Sequence, residues 1–175
     1  MEQRKLVLYI AMSLDGYIAA PGDDLSFLNP MMKEGEDYGY GAFIKTVDTV
    51  ILGRKTYDWV MKQVESFPHA DKEAYIITSN ARPSAGNTHF YTGDLKELIV
   101  SLKQKKGKNI FCDGGAVLVN ALLKDQLIDE FIISVIPVLL SGGTRLFGDN
   151  NQSQNLVLKD CKTFSTGLVQ LHYTR

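Results

Sequence analysis

Two short stretches of this chain carry residue types suited to holding phosphate. The first, Thr49-Val50-Ile51-Leu52-Gly53-Arg54-Lys55-Thr56-Tyr57, runs four strand-forming residues into a glycine, two cations and a hydroxyl. The second, Ile110-Phe111-Cys112-Asp113-Gly114-Gly115-Ala116-Val117, repeats the design with a pair of glycines. Each reads as a buried strand that turns sharply into a helix. Such a junction aims unpaired backbone N–H groups and the positive helix end at an anion. Glycine at the turn tolerates positive φ and lets a phosphate approach the backbone. Two corners of this kind point to one ligand with several phosphates. Arg54 and Lys55 add charge-assisted donors for a further, dianionic phosphate. The ligand that fits is NADPH rather than NADH, which would leave those cations without a partner. Gly53-Arg54-Lys55-Thr56 does not complete a G-x-x-x-x-G-K-[ST] loop, because the residues before it are apolar strand.

The elements that must position these corners follow from periodicity. Residues 5–12 read as a central strand, and 13–29 as a Gly-, Asp- and Pro-rich loop long enough to be a lid. A helix is expected over 34–47, a short strand over 49–52 and a helix over 55–65, with Tyr57, Val60, Met61 and Val64 inward. Trp59 is expected in the core. Strands over 74–78 and 88–91 flank a loop at 79–87. A helix over 94–105 starts at Asp94, a suitable N-cap, and presents Leu95, Leu98, Ile99 and Leu102. A strand over 109–112 leads to a helix over 116–124, and a long strand covers 129–137. Ser141-Gly142-Gly143 marks a turn or bulge in 139–146. Strands over 156–164 and 167–173 close the chain. Strand–helix alternation predicts a mostly parallel central sheet with helices on both faces, an αβα sandwich of the α/β class. The last strands, joined by short turns, are expected to be antiparallel.

Composition narrows the function. The 175 residues are 45% hydrophobic and 22% charged, with a formal net charge of −1. One domain of residues 1–175 is expected, with no basic field for nucleic acid and no apolar run of membrane-spanning length. Residues 1–5 lead straight into a strand pattern with no signal-peptide character, which favours the cytoplasm. Cys112 and Cys161 are read as two buried thiols rather than a disulfide, and with His69, His89 and His172 they give no zinc spacing.

In order and motif the chain resembles the dihydrofolate reductase fold. More narrowly it is similar to the reductase domain of the bifunctional riboflavin-pathway deaminase–reductase and to small stand-alone bacterial relatives of that domain. The likeness rests on residues 12–19 (Met-Ser-Leu-Asp-Gly-Tyr-Ile-Ala), 50–57, Asp113-Gly114-Gly115 and 136–147 (Ile-Pro-Val-Leu-Leu-Ser-Gly-Gly-Thr-Arg-Leu-Phe), in that order along the chain. It implies that the backbones of Ala11 and Ile18 hold the nicotinamide carboxamide. It assigns Gly53, Arg54, Lys55 and Thr56 to one phosphate turn, and Gly114, Gly115, Ala116 and Val117 to the second. Thr78, Ser79 and Asn80 fall where the adenosine ribose and its 2′-phosphate lie, and Ser134 where a hydroxyl stands near the substrate ring. Asp37 sits at the distance before Gly53 where dihydrofolate reductases place their acid.

The implied reaction is hydride transfer from NADPH to a C=N or C=O carbon. The proton would come from Asp37, at a raised pKa in an apolar cleft, or from an ordered water. Glu34 and Glu36 stand close to Asp37 in sequence. Asp15 is read as a turn-fixing residue rather than a catalytic one. Arg145 either binds a substrate phosphate or closes a surface turn. The substrate is expected to resemble the ribosylaminopyrimidine phosphate of riboflavin synthesis. Dihydrofolate is the alternative, disfavoured because no arginine lies between Lys55 and Ala81 and no tryptophan stands in the 13–29 loop. A non-catalytic, dimeric NADPH-binding protein and a flavin- or nucleotide-binding module are the other readings. Family likeness also implies a homodimer; the apolar late strands, above all 131–140, are read either as its interface or as buried within a monomer.

Overall fold

A computed structural model describes residues 3–149 and 151–175; Met1 and Glu2, which open the stretch read for a leader, lie outside the described residues. Its centre is β1 (Leu6–Ser13), paired in parallel with β6 (Asn109–Gly114) on one side and β7 (Glu130–Ile136) on the other. A strand hydrogen-bonded on both edges and covered on both faces has no polar alternation to show. Accordingly Leu6, Val7 and Leu8 are all buried although consecutive side chains point to opposite faces. Outward from β6 lie β3 (Val47–Gly53), β4 (Glu73–Ile77) and β5 (Thr88–Tyr91), all parallel. Beyond β7 come β10 (Val169–Thr174) and β9 (Val157–Thr163), both in antiparallel pairings. The eight-stranded order is β5-β4-β3-β6-β1-β7-β10-β9.

Helices cover both faces. One face packs α3 (Leu95–Gln104) and α4 (Ala116–Lys124) on Leu6, Leu8, Ile51, Ile110 and Cys112. The other packs α1 (Tyr40–Ile44) and α2 (Arg54–Gln63) on Val7, Val50, Leu52 and Phe111. The αβα architecture with antiparallel last strands is thus present as expected. Asp94 caps α3 by accepting the Glu97 N–H at 2.8 Å.

Several local expectations fail, each for a physical reason. The helix over 34–47 shrinks to five residues, because Gly35, Tyr38 and Gly39 take positive φ (77°, 54° and 83°) and end any helix before Tyr40. Val47 joins β3 instead. α2 stops at Gln63; Val64 is extended, and both it and the helical Trp59 are exposed. Apolar residues at helical spacing did not oblige either one to face the core. Cys112 is buried, its thiol pushed up to about 12 by desolvation, but Cys161 is exposed on β9, and both are free.

The 13–29 segment is not a free lid. Its β2 (Tyr17–Ala19) pairs with β8 (Thr144–Arg145) in a small second sheet, and Leu146 donates its N–H to Gly16 O at 2.9 Å. A 3-10 turn at Ser26–Met31 buries Phe27 and Met31 against Ile136 and Leu168. Asp15 ties the two segments together. It accepts the Ser13 hydroxyl (2.6 Å), the Leu140 N–H (3.1 Å) and the Ser141 N–H (2.7 Å). Those donors, Ser13 first, hold its pKa down to about 2. The turn-fixing reading of Asp15 is therefore what the structure contains. Arg145 stacks over the Tyr17 ring at 4.9 Å.

Candidate functional site

The two glycine corners meet at the carboxyl ends of adjacent strands. β3 ends at Gly53 and passes directly into α2; β6 ends at Gly114 and, through Gly115, passes into α4. Because β3 and β6 are neighbours, with Leu52 opposite Gly114, the corners lie side by side. A Cβ built on Gly53 would stand 3.8 Å from Gly114 O and 4.0 Å from Gly115 N. One side chain joins them: Thr56, in the first turn of α2, accepts the Gly115 N–H on Oγ1 at 3.0 Å. Gly114 has φ +103°, which glycine alone adopts without strain, and its peptide to Gly115 is cis. A methyl on Gly115 would fall 2.9 Å from Thr56 Oγ1 and force the bridge apart.

Neither helix start is satisfied from within. Gly53 and Gly115 are the N-cap residues, both extended, with no side-chain cap and no acidic residue in the first turn. The first-turn N–H groups of Arg54, Lys55 and Thr56, and of Ala116, Val117 and Leu118, have no intrahelical acceptor. Val117 is exposed beside them, an apolar lip on the second corner. Each helix end favours a negative charge by roughly 0.3–1 kcal/mol. Two converging ends beside a guanidinium make an anion cradle that one turn alone would not.

At the outer side of the first corner, Arg54 pairs with Asp58 one turn on, at 2.9 Å, and Lys55 is exposed. Thr78 follows β4; its Oγ1 accepts the Asn80 N–H at 3.1 Å, so the turn carrying Ser79 and Asn80 is fixed at the same end of the sheet. At the inner side, Ala11 lies in β1 in register with Ser134 of β7. Ile18 sits in β2, beside β1, packed against the α4-side core.

Two substrate-side expectations are altered. Asp37 is exposed, not set in an apolar cleft. Its Oδ1 accepts the Gly39 N–H at 2.8 Å and its Oδ2 the Gly41 N–H at 2.9 Å, as a cap on the start of α1. Those bonds, Gly39 first, lower its pKa, the reverse of what an acid catalyst needs. Ser134 is buried, and its hydroxyl faces Gln170 Nε2 at 3.1 Å rather than open space. Gln170 also reaches Tyr9 Oη and Tyr38 O, each at 3.1 Å, while Tyr9 donates to Tyr38 O at 2.9 Å. This polar knot fixes the wall behind the α1 face.

Sequence reasoning gave no role to three residues that stand out on that face. Asp113, immediately before the second corner, has a side chain 29% exposed, with His69 Nε2 at 3.7 Å from its Oδ2. Tyr40, from α1, is pushed up to about 12, by burial first and then by the charge of Asp113. Its hydroxyl makes no hydrogen bond among the described residues. Only the dipeptide position of Asp113 was visible in the sequence. Its proximity to Tyr40 and His69 comes from three segments far apart in the chain.

Comparison with known proteins bears on the family and the fold. The family model of the RibD C-terminal domain matches residues 4–170. The uncharacterized protein YwjB of Bacillus subtilis (strain 168) is 46% identical over 175 residues, covering 99% of each chain. A crystal structure described as a putative riboflavin biosynthesis protein from Shewanella sp. PV-4 superposes with a TM-score of 0.88 at 29% identity, covering 98% of both chains. The Thermotoga maritima diaminohydroxyphosphoribosylaminopyrimidine deaminase/5-amino-6-(5-phosphoribosylamino)uracil reductase has the same fold, with a TM-score of 0.72 at 12% identity. This chain is covered over 98% of its length and that one over 56%.

Proposed function

Because this chain belongs to the RibD C-terminal domain family, we propose that it is an NADPH-dependent reductase. Its substrate is a small heterocycle with a C=N or C=O carbon, in the manner of 5-amino-6-(5-phosphoribosylamino)uracil reductase. One observation carries the reading: the corners at Gly53 and Gly114-Gly115 lie side by side, cross-linked by Thr56, with both helix starts uncapped. NADPH supplies the hydride when bound, and the protein supplies position and electrostatics. The amides of Arg54–Thr56 and of Ala116 and Val117, approached over Gly53 and Gly115, hold the pyrophosphate, and Arg54 and Lys55, with Ser79 and Asn80, take the 2′-phosphate. Ala11 and Ile18 border the nicotinamide end.

On the substrate side, Asp113 accepts hydrogen bonds from ring or amino N–H groups, and Tyr40, protonated throughout the physiological range, donates to a carbonyl. His69 steadies Asp113. Asp37 stays ionised at its cap, so the proton that completes the reduction comes from water.

The protein also pairs with a second copy through its last strands. On one face of β7, β10 and β9 the rows carry no charge; Phe131 and Ile133 are buried in the core, and Thr163, Cys161 and Leu158 of β9 form the exposed part of that face. The other face holds Lys162 and Asp160. A second reading, cofactor binding without turnover, is favoured by the absence of a raised-pKa acid at Asp37.

Thermal shift with NADPH and NADH, followed by NADPH consumption with a ribosylaminopyrimidine phosphate, tests the proposal. A ligand that binds only the native state raises apparent stability by about 2.7 kcal/mol at a hundred times its Kd. A shift with NADPH and consumption of it support a reductase. A shift without consumption of NADPH by any pyrimidine, pterin or carbonyl compound supports the second reading. No shift removes both.

A further inference from the structure

Arg54 does not stand alone at the start of α2. Its Nε uses one oxygen of Asp58, at 2.9 Å, and the other oxygen takes Nη1 of Arg82 at 3.4 Å. Arg82 belongs to the 78–87 loop, which leaves β4 at the same end of the sheet and is set by the Thr78–Asn80 turn. Its guanidinium carbon lies 5.5 Å from the centroid of Phe90 on β5. Thus a carboxylate between them and an aromatic ring beneath one hold two guanidinium groups at a fixed spacing. Their remaining N–H donors make no hydrogen bond among the described residues. All three side chains are 33–40% exposed, and ion pairs so placed contribute little to stability. The arrangement does little for the fold, but it presents a pair of planar donor forks suited to phosphate oxygens.

The local charge count selects the ligand. Arg54, Lys55 and Arg82 supply three positive charges and Asp58 one negative, leaving two. A phosphate monoester carries roughly −1.5 to −2 at neutral pH, whereas each phosphate of a pyrophosphate diester carries about one. We propose that Arg82 is a second guanidinium ligand of the cofactor's 2′-phosphate monoester. In this arrangement Asp58 and Phe90 position it beside Arg54, and it helps set the preference for NADPH over NADH. This rests on the cofactor reading above and adds to it a residue outside the two corners.

The test is direct titration of the full chain with NADPH and NADH, and competition by 2′,5′-ADP and 5′-ADP, for the wild type, Arg82→Ala and Arg82→Lys. Removing a charge-assisted donor costs about 1.5–3 kcal/mol, so Arg82→Ala should weaken NADPH and 2′,5′-ADP by roughly tenfold or more. NADH and 5′-ADP should change less than about twofold. Arg82→Lys should recover part of the loss, since charge returns without the fork. If Arg82→Ala lowers the melting temperature but leaves the NADPH-to-NADH ratio unchanged, Arg82 only packs on Phe90 and the inference is overturned. If the wild type binds neither dinucleotide, the cofactor reading falls and this inference with it.

Discussion

Asp37 and Arg54 illustrate how the surroundings of a residue decide its chemistry. A carboxylate that accepts two backbone N–H groups is stabilised in its charged form, so Asp37 cannot deliver a proton near neutral pH. Asp37→Asn should leave kcat within about threefold and lower stability slightly through a weaker cap, read by steady-state rates and urea unfolding. A loss of a hundredfold in kcat would restore Asp37 as the acid. Arg54→Ala should weaken NADPH about tenfold and leave NADH nearly unchanged, measured by titration; equal losses for both would place Arg54 on the pyrophosphate. Asp113→Asn keeps the shape of the side chain but exchanges an acceptor for a donor. It should raise KM for a pyrimidine substrate and leave NADPH affinity intact.

At the scale of elements, the 13–29 segment is held by pairing with a distant part of the chain. The 13–29 segment is secured by β2–β8 pairing and by Asp15, so its order depends on residues 125 positions away. Gly143 lies at the tightest point: at φ +114°, a Cβ there would sit 2.0 Å from Ala19 O. Gly143→Ala should cost about 2–4 kcal/mol by chemical denaturation; a loss under about 0.5 kcal/mol would mean the two segments separate freely. Asp15 adds a pH signature. Its folded pKa is depressed to about 2 from 3.8. Its contribution is therefore complete above the unfolded value and is lost as pH falls from about 4 to 2. Asp15→Asn should flatten the pH dependence of stability in that window. An unchanged acid profile would show that the clamp does not form in solution.

The molecule as a whole reads as a sheet whose left half carries the two glycine corners and whose right half ends in exposed antiparallel strands. The uncharged exposed face of β9 predicts a dimer by sedimentation equilibrium, and Leu158→Glu with Cys161→Glu should shift it to monomer; a monomeric wild type would contradict this. Much of the plan was legible because its signals are local. Apolar runs gave the buried strands, and glycine after such a run gave both corners. What could not be read depended on distant meetings. The two-residue strand β8 has no pattern of its own and exists only because Tyr17 and Ala19 face it. Asp113, Tyr40 and His69 come from separate elements, and so do Asp58 and Arg82. Asp37 was placed by sequence distance alone, whereas its chemistry follows from the fold of Gly39 and Gly41 around it.

A crystal structure of the chain with NADP+ bound tests the central claim most directly. The pyrophosphate should lie between the amides of Arg54–Thr56 and those of Ala116 and Val117, with the 2′-phosphate toward Arg54. A dinucleotide bound elsewhere at full occupancy, with both corners facing solvent, would contradict the account.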